Sequence, residues 1–594
     1  MSDLDRPVSN CWCARGGLVG LILAARLVAG CAQPGGSDPV EESLSGKVPG
    51  EAARLDCAAI TTANLQLRNA EITLSQSVPA KTDGATSENY PEHCQVQGRI
   101  DPRTGADGKP YAIGFEMRLP VSWNGKLLFQ GGGGTDGAII PALGLILGTS
   151  AATSNGLSLG YAVVSTDGGH TSESAPFIGG VLFGLDPQAR IDYGYRALEL
   201  SLVMAKYIVT RRYGAFPARS YFEGCSNGGR QGLVAAARLG DQFDGILVGD
   251  PGFNLPKAAL QAAWDTQQLL PLSPASLAAA FSVADMSLVG RRIADQCDAL
   301  DGAVDGIVSA VAACQAVFRL ASDVPTCATA PDGMCLTLAQ KAALQAMMDG
   351  PSNTAGQPLY ARWLWDPGIA ASAVGFSSWR MWKLENPILG GLSMNVALSG
   401  GSLSHIFTTP PTALGAGGPE VIIPRLIGYL ASFNFDTDAP KIFTTTREFS
   451  ESAMSFMTPP HPTSLAAFKA RGKLIVFHGT ADPVFSAADT VDWFTALTRA
   501  GNPDFARLYL VPGMGHCSGG MATDRFDLLT PLADWVERGI APAAVNASLT
   551  PGNTDVPANW SPERTRPLCA YPKHAVALPG ASDLESAASF VCRD

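Results

Sequence analysis

Five consecutive residues, Gly224-Cys225-Ser226-Asn227-Gly228, set a serine among small neighbours. They follow a short apolar run, Tyr221-Phe222-Glu223, and precede a helix-forming stretch from Gly229 to Leu239. A serine on a tight strand-to-helix turn presents its hydroxyl clear of the backbone, and glycines are needed around it because neighbouring Cβ atoms would clash. Such a hydroxyl attacks a carbonyl only when a base takes its proton and a carboxylate orients that base. Downstream, the apolar run Lys473–Phe477 ends in His478-Gly479-Thr480-Ala481-Asp482-Pro483, and Arg507–Val511 ends in Pro512-Gly513-Met514-Gly515-His516-Cys517. Nucleophile, acid and base are therefore expected to be Ser226, Asp482 and His516, each on a loop that follows a strand. His478 competes for the role of base, but it precedes the acid in the chain; it is read as lining the pocket or orienting a loop. The histidines at 93, 170, 405, 461 and 574 are assigned to surface, core or substrate contact.

Acyl transfer also needs donors for the tetrahedral oxyanion. Gly131 to Gly134 directly follow the run Lys126–Gln130, and only residues without Cβ let backbone N–H groups approach so closely. One donor is assigned to the N–H of Gly133 and the other to that of Asn227. Two cysteines flank the chemistry: Cys225 precedes the nucleophile and Cys517 follows the base. A bond between them would join the two catalytic loops, whereas two unpaired thiols would simply be small buried side chains.

These loops need a frame to hold them. The runs Lys126–Gln130, Tyr161–Ser165, Tyr221–Glu223, Gly245–Gly249, Lys473–Phe477 and Arg507–Val511 all end in Gly-rich or Asp-containing turns, as buried strands of an open α/β sheet do. Between Tyr193 and Tyr213 apolar residues recur every three to four positions, which predicts a helix packed on that sheet. Alternating strands and helices imply a mainly parallel sheet. The rhythm stops after Pro251 and resumes at Lys473. The organisation expected is an α/β-hydrolase fold over 55–250 and 465–594, interrupted by a lid domain over 251–464.

The chain has 594 residues and a net charge of −11, with 46% hydrophobic and 16% charged residues. That balance supplies a large core and no basic face, so disorder, coiled coil and nucleic-acid binding are excluded as readings. Residues 16–29 form a short apolar run after Arg6 and Arg15, the length of a signal-peptide core and too short for a membrane anchor. Val28-Ala29-Gly30-Cys31 resembles a lipobox, although Arg26 interrupts the run. Residues 1–31 are read as a signal peptide with a possible lipid tether at Cys31, and 32–54 as a linker. An exported protein is expected, periplasmic, secreted or held at the outer membrane. With Cys11, Cys13 and Cys31 in the leader, an even number of cysteines remains, which favours complete pairing; no CxxC occurs among them, which disfavours zinc ribbons and thioredoxin-type motifs.

The order Cys-Ser, Asp, His-Cys, with a long insertion between Ser and Asp, resembles the tannase and feruloyl esterase family, which includes mono(2-hydroxyethyl) terephthalate hydrolases. The resemblance runs from about Asp56 to Cys592. It implies a serine carboxylesterase acting on small aromatic (feruloyl, galloyl or terephthaloyl) esters, and a bond between Cys225 and Cys517. The spacing of the other cysteines suggests Cys57–Cys94, Cys297–Cys314, Cys327–Cys335 and Cys569–Cys592. The resemblance also implies a structural Ca²⁺ in the lid, held by Asp298, Asp301 and Asp305 with the carbonyls of Ala303 and Ile307. On local pattern alone the same residues would serve equally as a solvated acidic turn. Trp379, Trp382, His405 and Phe407, with His478, are the expected substrate contacts, although lid aromatics also build lid core. In terephthalate half-ester hydrolases a lid arginine pairs with the free carboxylate; the corresponding stretch, Ser399–Thr408, has none, and Arg380 would substitute only by facing the pocket. The reading from another class is a tethered protein that binds aromatic ligands without turning them over.

Overall fold

The computed structural model describes residues 54–594 except 83–88, 150–153, 174–178, 329–332, 374–376 and 500–502. The leader, the lipobox cysteine and the linker up to residue 53 lie outside the described residues.

Nine strands build the central sheet: β1 (Ala70–Val78), β2 (His93–Thr104), β3 (Pro110–Pro120), β4 (Lys126–Gln130), β5 (Ala162–Thr166), β6 (Arg219–Cys225), β7 (Gly245–Gly249), β8 (Lys473–Gly479) and β9 (Ala506–Val511). Their order is β1-β2-β3-β5-β4-β6-β7-β8-β9. From β5 across to β9 every pairing is parallel, while β1, β2, β3 and β5 pair antiparallel. The parallel portion is covered on both faces, and its side chains alternate accordingly. Ile246, Val248, Leu474 and Val476 point into one apolar layer with helices α1 (Ala197–Tyr213) and α2 (Asn227–Arg238). Leu247, Ile475 and Phe477 point into the other, where Leu529, Leu532 and Trp535 belong to a helix at Leu529–Arg538. The helix read from Tyr193 begins at Ala197, because residues Asp192–Arg196 form a wider π turn.

Between β7 and β8 the chain leaves the sheet and folds into a helical layer with its own core. Helices α3 (Leu255–Leu269), α4 (Val283–Cys297), α5 (Leu338–Asp349) and α6 (Pro419–Ser432) pack around Phe281, Leu344, Leu403 and Leu426, all fully buried. Ser282 with Asp285, and Thr337 with Gln340, form capping boxes that start α4 and α5. Wide turns at Asn395–Gly400 and Leu403–Phe407 replace regular helix where this layer meets the sheet edge. Among the described residues five disulfides join Cys57–Cys94, Cys225–Cys517, Cys297–Cys314, Cys327–Cys335 and Cys569–Cys592.

Candidate active site

β6 ends at Cys225, α2 begins at Asn227, and Ser226 between them sits at φ 64°, a conformation that costs a side-chain-bearing residue energy and is kept where function requires it. The turn is tight enough that a Cβ on Gly228 would lie 2.5 Å from the Gly132 carbonyl oxygen, so glycine is obligatory there. The Ser226 hydroxyl lies 2.8 Å from His516 Nε2, and His516 Nδ1 lies 2.9 Å from Asp482 Oδ2. The other carboxylate oxygen of Asp482 accepts the Val484 and Phe485 N–H groups at 2.6 and 3.2 Å, which fixes its rotamer. Burial alone would push the Asp482 carboxyl up, but His516 and His478 beside it overcome that and hold it well below the usual carboxylate range. Nucleophile, base and acid are thus brought together, and the Cys225–Cys517 bond ties the nucleophile's loop to the base's loop.

A pocket opens over Ser226 between the sheet edge and the helical layer. Gly134, Thr135, Tyr193, Asn227, Val484 and Phe485 border it from the hydrolase side, and Leu255, Trp382, Leu398, Ser399, Ser402 and Phe407 from the lid. Trp382 and Phe485 both set ring edges against His516, at centroid distances of 5.3 and 5.4 Å. Every described residue bordering the pocket is uncharged.

Three expected contacts lie elsewhere. His405 is fully buried in the lid, its Nδ1 2.8 Å from Ser404 Oγ, and burial lowers its pKa to about 4. The wide turn at Leu403–Phe407 sends Phe407 to the pocket and His405 inward. Trp379 packs with Asp366 and Trp363 behind the Asp482 loop. His478 does not line the pocket itself: it is fully buried beneath Asp482, its Nε2 3.1 Å from the backbone carbonyl of Phe485, and so orients the loop rather than meeting substrate. Arg380 does not supply the missing cation, because its guanidinium is spent on Glu385 and on the Phe281 carbonyl.

The oxyanion loop is held by its neighbours. The Gly132 N–H donates to Gln231 Oε1 at 3.0 Å and the Gly133 carbonyl accepts the Asp136 N–H at 2.9 Å, while Gly134 and Thr135 border the pocket. Asp136 also accepts from Asn227 Nδ2 at 2.6 Å and Gln231 Nε2 at 2.7 Å, so one carboxylate clamps the loop to the start of α2. Burial pushes its pKa up to about 6. Asn227 occupies the first position of α2, where an N–H has no acceptor within the helix. Sequence reasoning missed Asp136, Tyr193, Val484 and Phe485. The one available signal was Val484-Phe485 directly after Asp482-Pro483, a hydrophobic pair on a catalytic loop.

In the helical layer between β7 and β8, Asp298, Asp301 and Asp305 share one loop, with Gly302 and Gly306 at φ 85° and 86°. Asp298 accepts the Gly306 N–H and Asp301 accepts those of Ala303 and Ser309. Burial, together with the like charges of Asp305 and Asp298, pushes the Asp301 carboxyl up to about 7. Asp305 is paired with Arg566, which anchors the loop to the C-terminal strands. Three aspartate carboxylates on one loop are hard-oxygen groups of the kind Ca²⁺ takes, and Arg566 engages one of them.

A family model described as "Tannase and feruloyl esterase" matches residues 94–593. The chain belongs to the tannase and feruloyl esterase family. It is accordingly a carboxylic ester hydrolase. Among relatives, it is 42% identical over 533 residues to a mono(2-hydroxyethyl) terephthalate hydrolase of Piscinibacter sakaiensis, covering 86% of each chain. It is 26% identical over 498 residues to feruloyl esterase C of Talaromyces stipitatus, covering 78% of this chain and 80% of that one. The fold matches that of feruloyl esterase B from Aspergillus oryzae with a TM-score of 0.69 at 23% identity, over 90% of this chain and 99% of the other. Among the described residues no helix is long and apolar enough to cross a membrane.

Proposed function

We propose that the protein is an exported serine esterase that hydrolyses small aromatic carboxylic esters, feruloyl, galloyl or terephthaloyl, through an acyl-enzyme. The observation that carries this is the Ser226–His516–Asp482 chain of 2.8 and 2.9 Å contacts opening onto an uncharged pocket walled by Trp382, Phe407, Tyr193 and Phe485. In the first step Ser226 Oγ attacks the ester carbonyl carbon while His516 Nε2 takes its proton. Asp482 steadies the imidazolium, and the Asn227 N–H with the Gly131–Thr135 loop holds the oxyanion. The imidazolium then protonates the leaving alcohol. In the second step His516 draws a proton from water as it attacks the acyl carbon, and the imidazolium returns that proton to Ser226 Oγ as the acid leaves.

A pocket without a cation disfavours an acyl group that carries its own carboxylate, since an unpaired charge loses hydration on entry. The 42% relative favours the narrower reading of mono(2-hydroxyethyl) terephthalate hydrolysis. A side-by-side assay decides between them: methyl ferulate, methyl gallate and methyl benzoate against mono(2-hydroxyethyl) terephthalate. The neutral aromatic esters are expected to be turned over with kcat/KM about tenfold or more above the half-ester; the reverse ranking sinks the broad reading, and failure on all four sinks both.

Five disulfides among the described residues support an oxidising compartment, and with the leader they support export, with Cys31 the residue a lipid tether would use. Ca²⁺ at Asp298, Asp301 and Asp305 would supply positive charge to a loop whose carboxylates otherwise repel, a structural role at residues remote in sequence from the triad.

A further inference from the structure

The catalytic acid has company. β7 and β8 are neighbouring parallel strands, paired at Gly249 and Phe477, and each runs into a loop that carries a buried aspartate near the base. Asp482 follows β8. Asp250 follows β7, at φ 38°, with its N–H donating to the Phe477 carbonyl at 2.9 Å and its Oδ1 accepting the Gly479 N–H at 2.9 Å. Carboxylate oxygens of Asp250 and Asp482 and a ring nitrogen of His516 all lie within 4.8 Å of one another. Fully buried His478 sits beneath both acids, its Nε2 3.3 Å from Asp482 Oδ2 and 3.8 Å from Asp250 Oδ1. That nitrogen also lies 3.1 Å from the Phe485 carbonyl, which can only accept, so Nε2 carries a proton whatever the ring's charge. Nδ1 meets the Thr490 hydroxyl at 2.9 Å.

Resting on the esterase reading above, we infer that Asp250 and His478 are positioning residues of the catalytic centre: His478 holds the Asp482 carboxylate from below, and Asp250 is a second carboxylate that shares the charging and orientation of His516. A single orienting aspartate needs no such surroundings. A second carboxylate beside the first raises the energy of both unless a donor lies between them, and His478 is that donor. The groups facing Asp250 are His478, Asp482 and His516, with the Cys225 sulfur 3.7 Å away; those facing Asp482 include Lys383 and Tyr360, and Asp489 lies beyond His478. Burial first, and Asp482 after it, push the Asp250 pKa up to about 7, so its charge changes over the pH range in which an imidazole ordinarily titrates.

The test is a set of variants of the full chain, Asp250→Asn, Asp482→Asn, the double variant, His478→Gln and His478→Ala, assayed for kcat and KM against pH with one ester. Removing a negative charge near an imidazole makes its cation less favourable. Asp250→Asn should therefore move the acid limb of kcat/KM to lower pH by about half a unit or more and lower kcat about tenfold with KM within twofold. Asp482→Asn should keep residual turnover that the double variant loses by a further tenfold or more. An unmoved limb, or a double variant equal to Asp482→Asn, overturns the inference. Should Asp250→Asn lose its cooperative melt, the His478 pair decides: Gln, which keeps a donor, should exceed Ala at least fivefold in kcat, and equality overturns it. The wild-type enzyme separates the two readings, since a wild type inactive on every ester removes the esterase reading itself, whereas an active wild type with indifferent variants removes only this inference.

Discussion

Asp136 is the most informative residue to remove, because its carboxylate accepts from Asn227, the first residue of α2, and from Gln231, which holds the Gly132 N–H. Asp136→Ala strips the partner from Asn227 Nδ2 and Gln231 Nε2, which now lie 2.6 and 2.7 Å from it. Each buried donor left unmet costs about 1–3 kcal/mol, which water entering the vacated space partly restores. An opposing term reduces the loss of stability. The Asp136 pKa is raised, so at pH 7 its ionised form destabilises the fold, and the substitution removes that burden. Folding stability should therefore fall by only about 1–3 kcal/mol. Catalysis should suffer more, because a loosened loop loses the equivalent of one oxyanion donor, about 10²–10³ in kcat. Since the oxyanion exists only in the transition state, KM should change little. Asp136→Asn, which keeps an acceptor oxygen in the same place, should retain more of kcat than Asp136→Ala. The assay is steady-state hydrolysis of a neutral aromatic ester alongside a urea melt of each variant. A KM raised tenfold at unchanged kcat, or Asn and Ala variants alike in kcat, would refute the clamp.

Replacing Cys225 and Cys517 together by alanine removes a bridge that closes 292 residues, for which chain entropy sets a ceiling of about 5–6 kcal/mol. A loss of about 2–5 kcal/mol in a denaturant melt is expected, with kcat reduced more than KM is raised; an unchanged kcat counts against a positioning role for the bond. In the lid, the raised Asp301 pKa means its contribution to stability is greatest below pH 4 and is lost as pH rises through about 7. In chelator at pH 8, Asp301→Asn should thus match or exceed the wild type in melting temperature. Ca²⁺ at a hundred times its Kd should stabilise the wild type by about 2.7 kcal/mol and the variant far less. No Ca²⁺-dependent gain in either protein would remove the calcium assignment.

How much of this was legible beforehand follows from the range over which each feature is encoded. Ser226, Asp482 and His516 each stand at the end of a short apolar run, so strand, turn and catalytic residue are read within a dozen positions. The family's Cys-Ser and His-Cys pairs made the Cys225–Cys517 bond legible as well. The antiparallel strands β1 and β2 escaped notice because they are half solvated: Gln95, Gln97 and Arg99 alternate with Val96 and Ile100, and no continuous apolar run results; β3 is mostly buried, but Glu116 and Arg118 interrupt its apolar residues. The pocket wall was only half legible for a related reason. Wide turns at Asn395–Gly400 and Leu403–Phe407 break the regular helical period, so spacing gave no means of telling that Phe407 faces Ser226 while His405 is core. Asp136 and Asp250 are single aspartates with no local pattern; their roles arise from loops of neighbouring strands meeting in space.

The central claim is that Ser226 is a nucleophile made reactive by His516. It is tested most directly by treating the purified protein with a fluorophosphonate and locating the adduct by peptide mass spectrometry. A single stoichiometric adduct on Ser226 is expected, with ester hydrolysis lost in step with labelling, and both labelling and turnover absent in a folded Ser226→Ala variant. An unlabelled Ser226, or a Ser226→Ala protein that still hydrolyses the ester, would contradict the account.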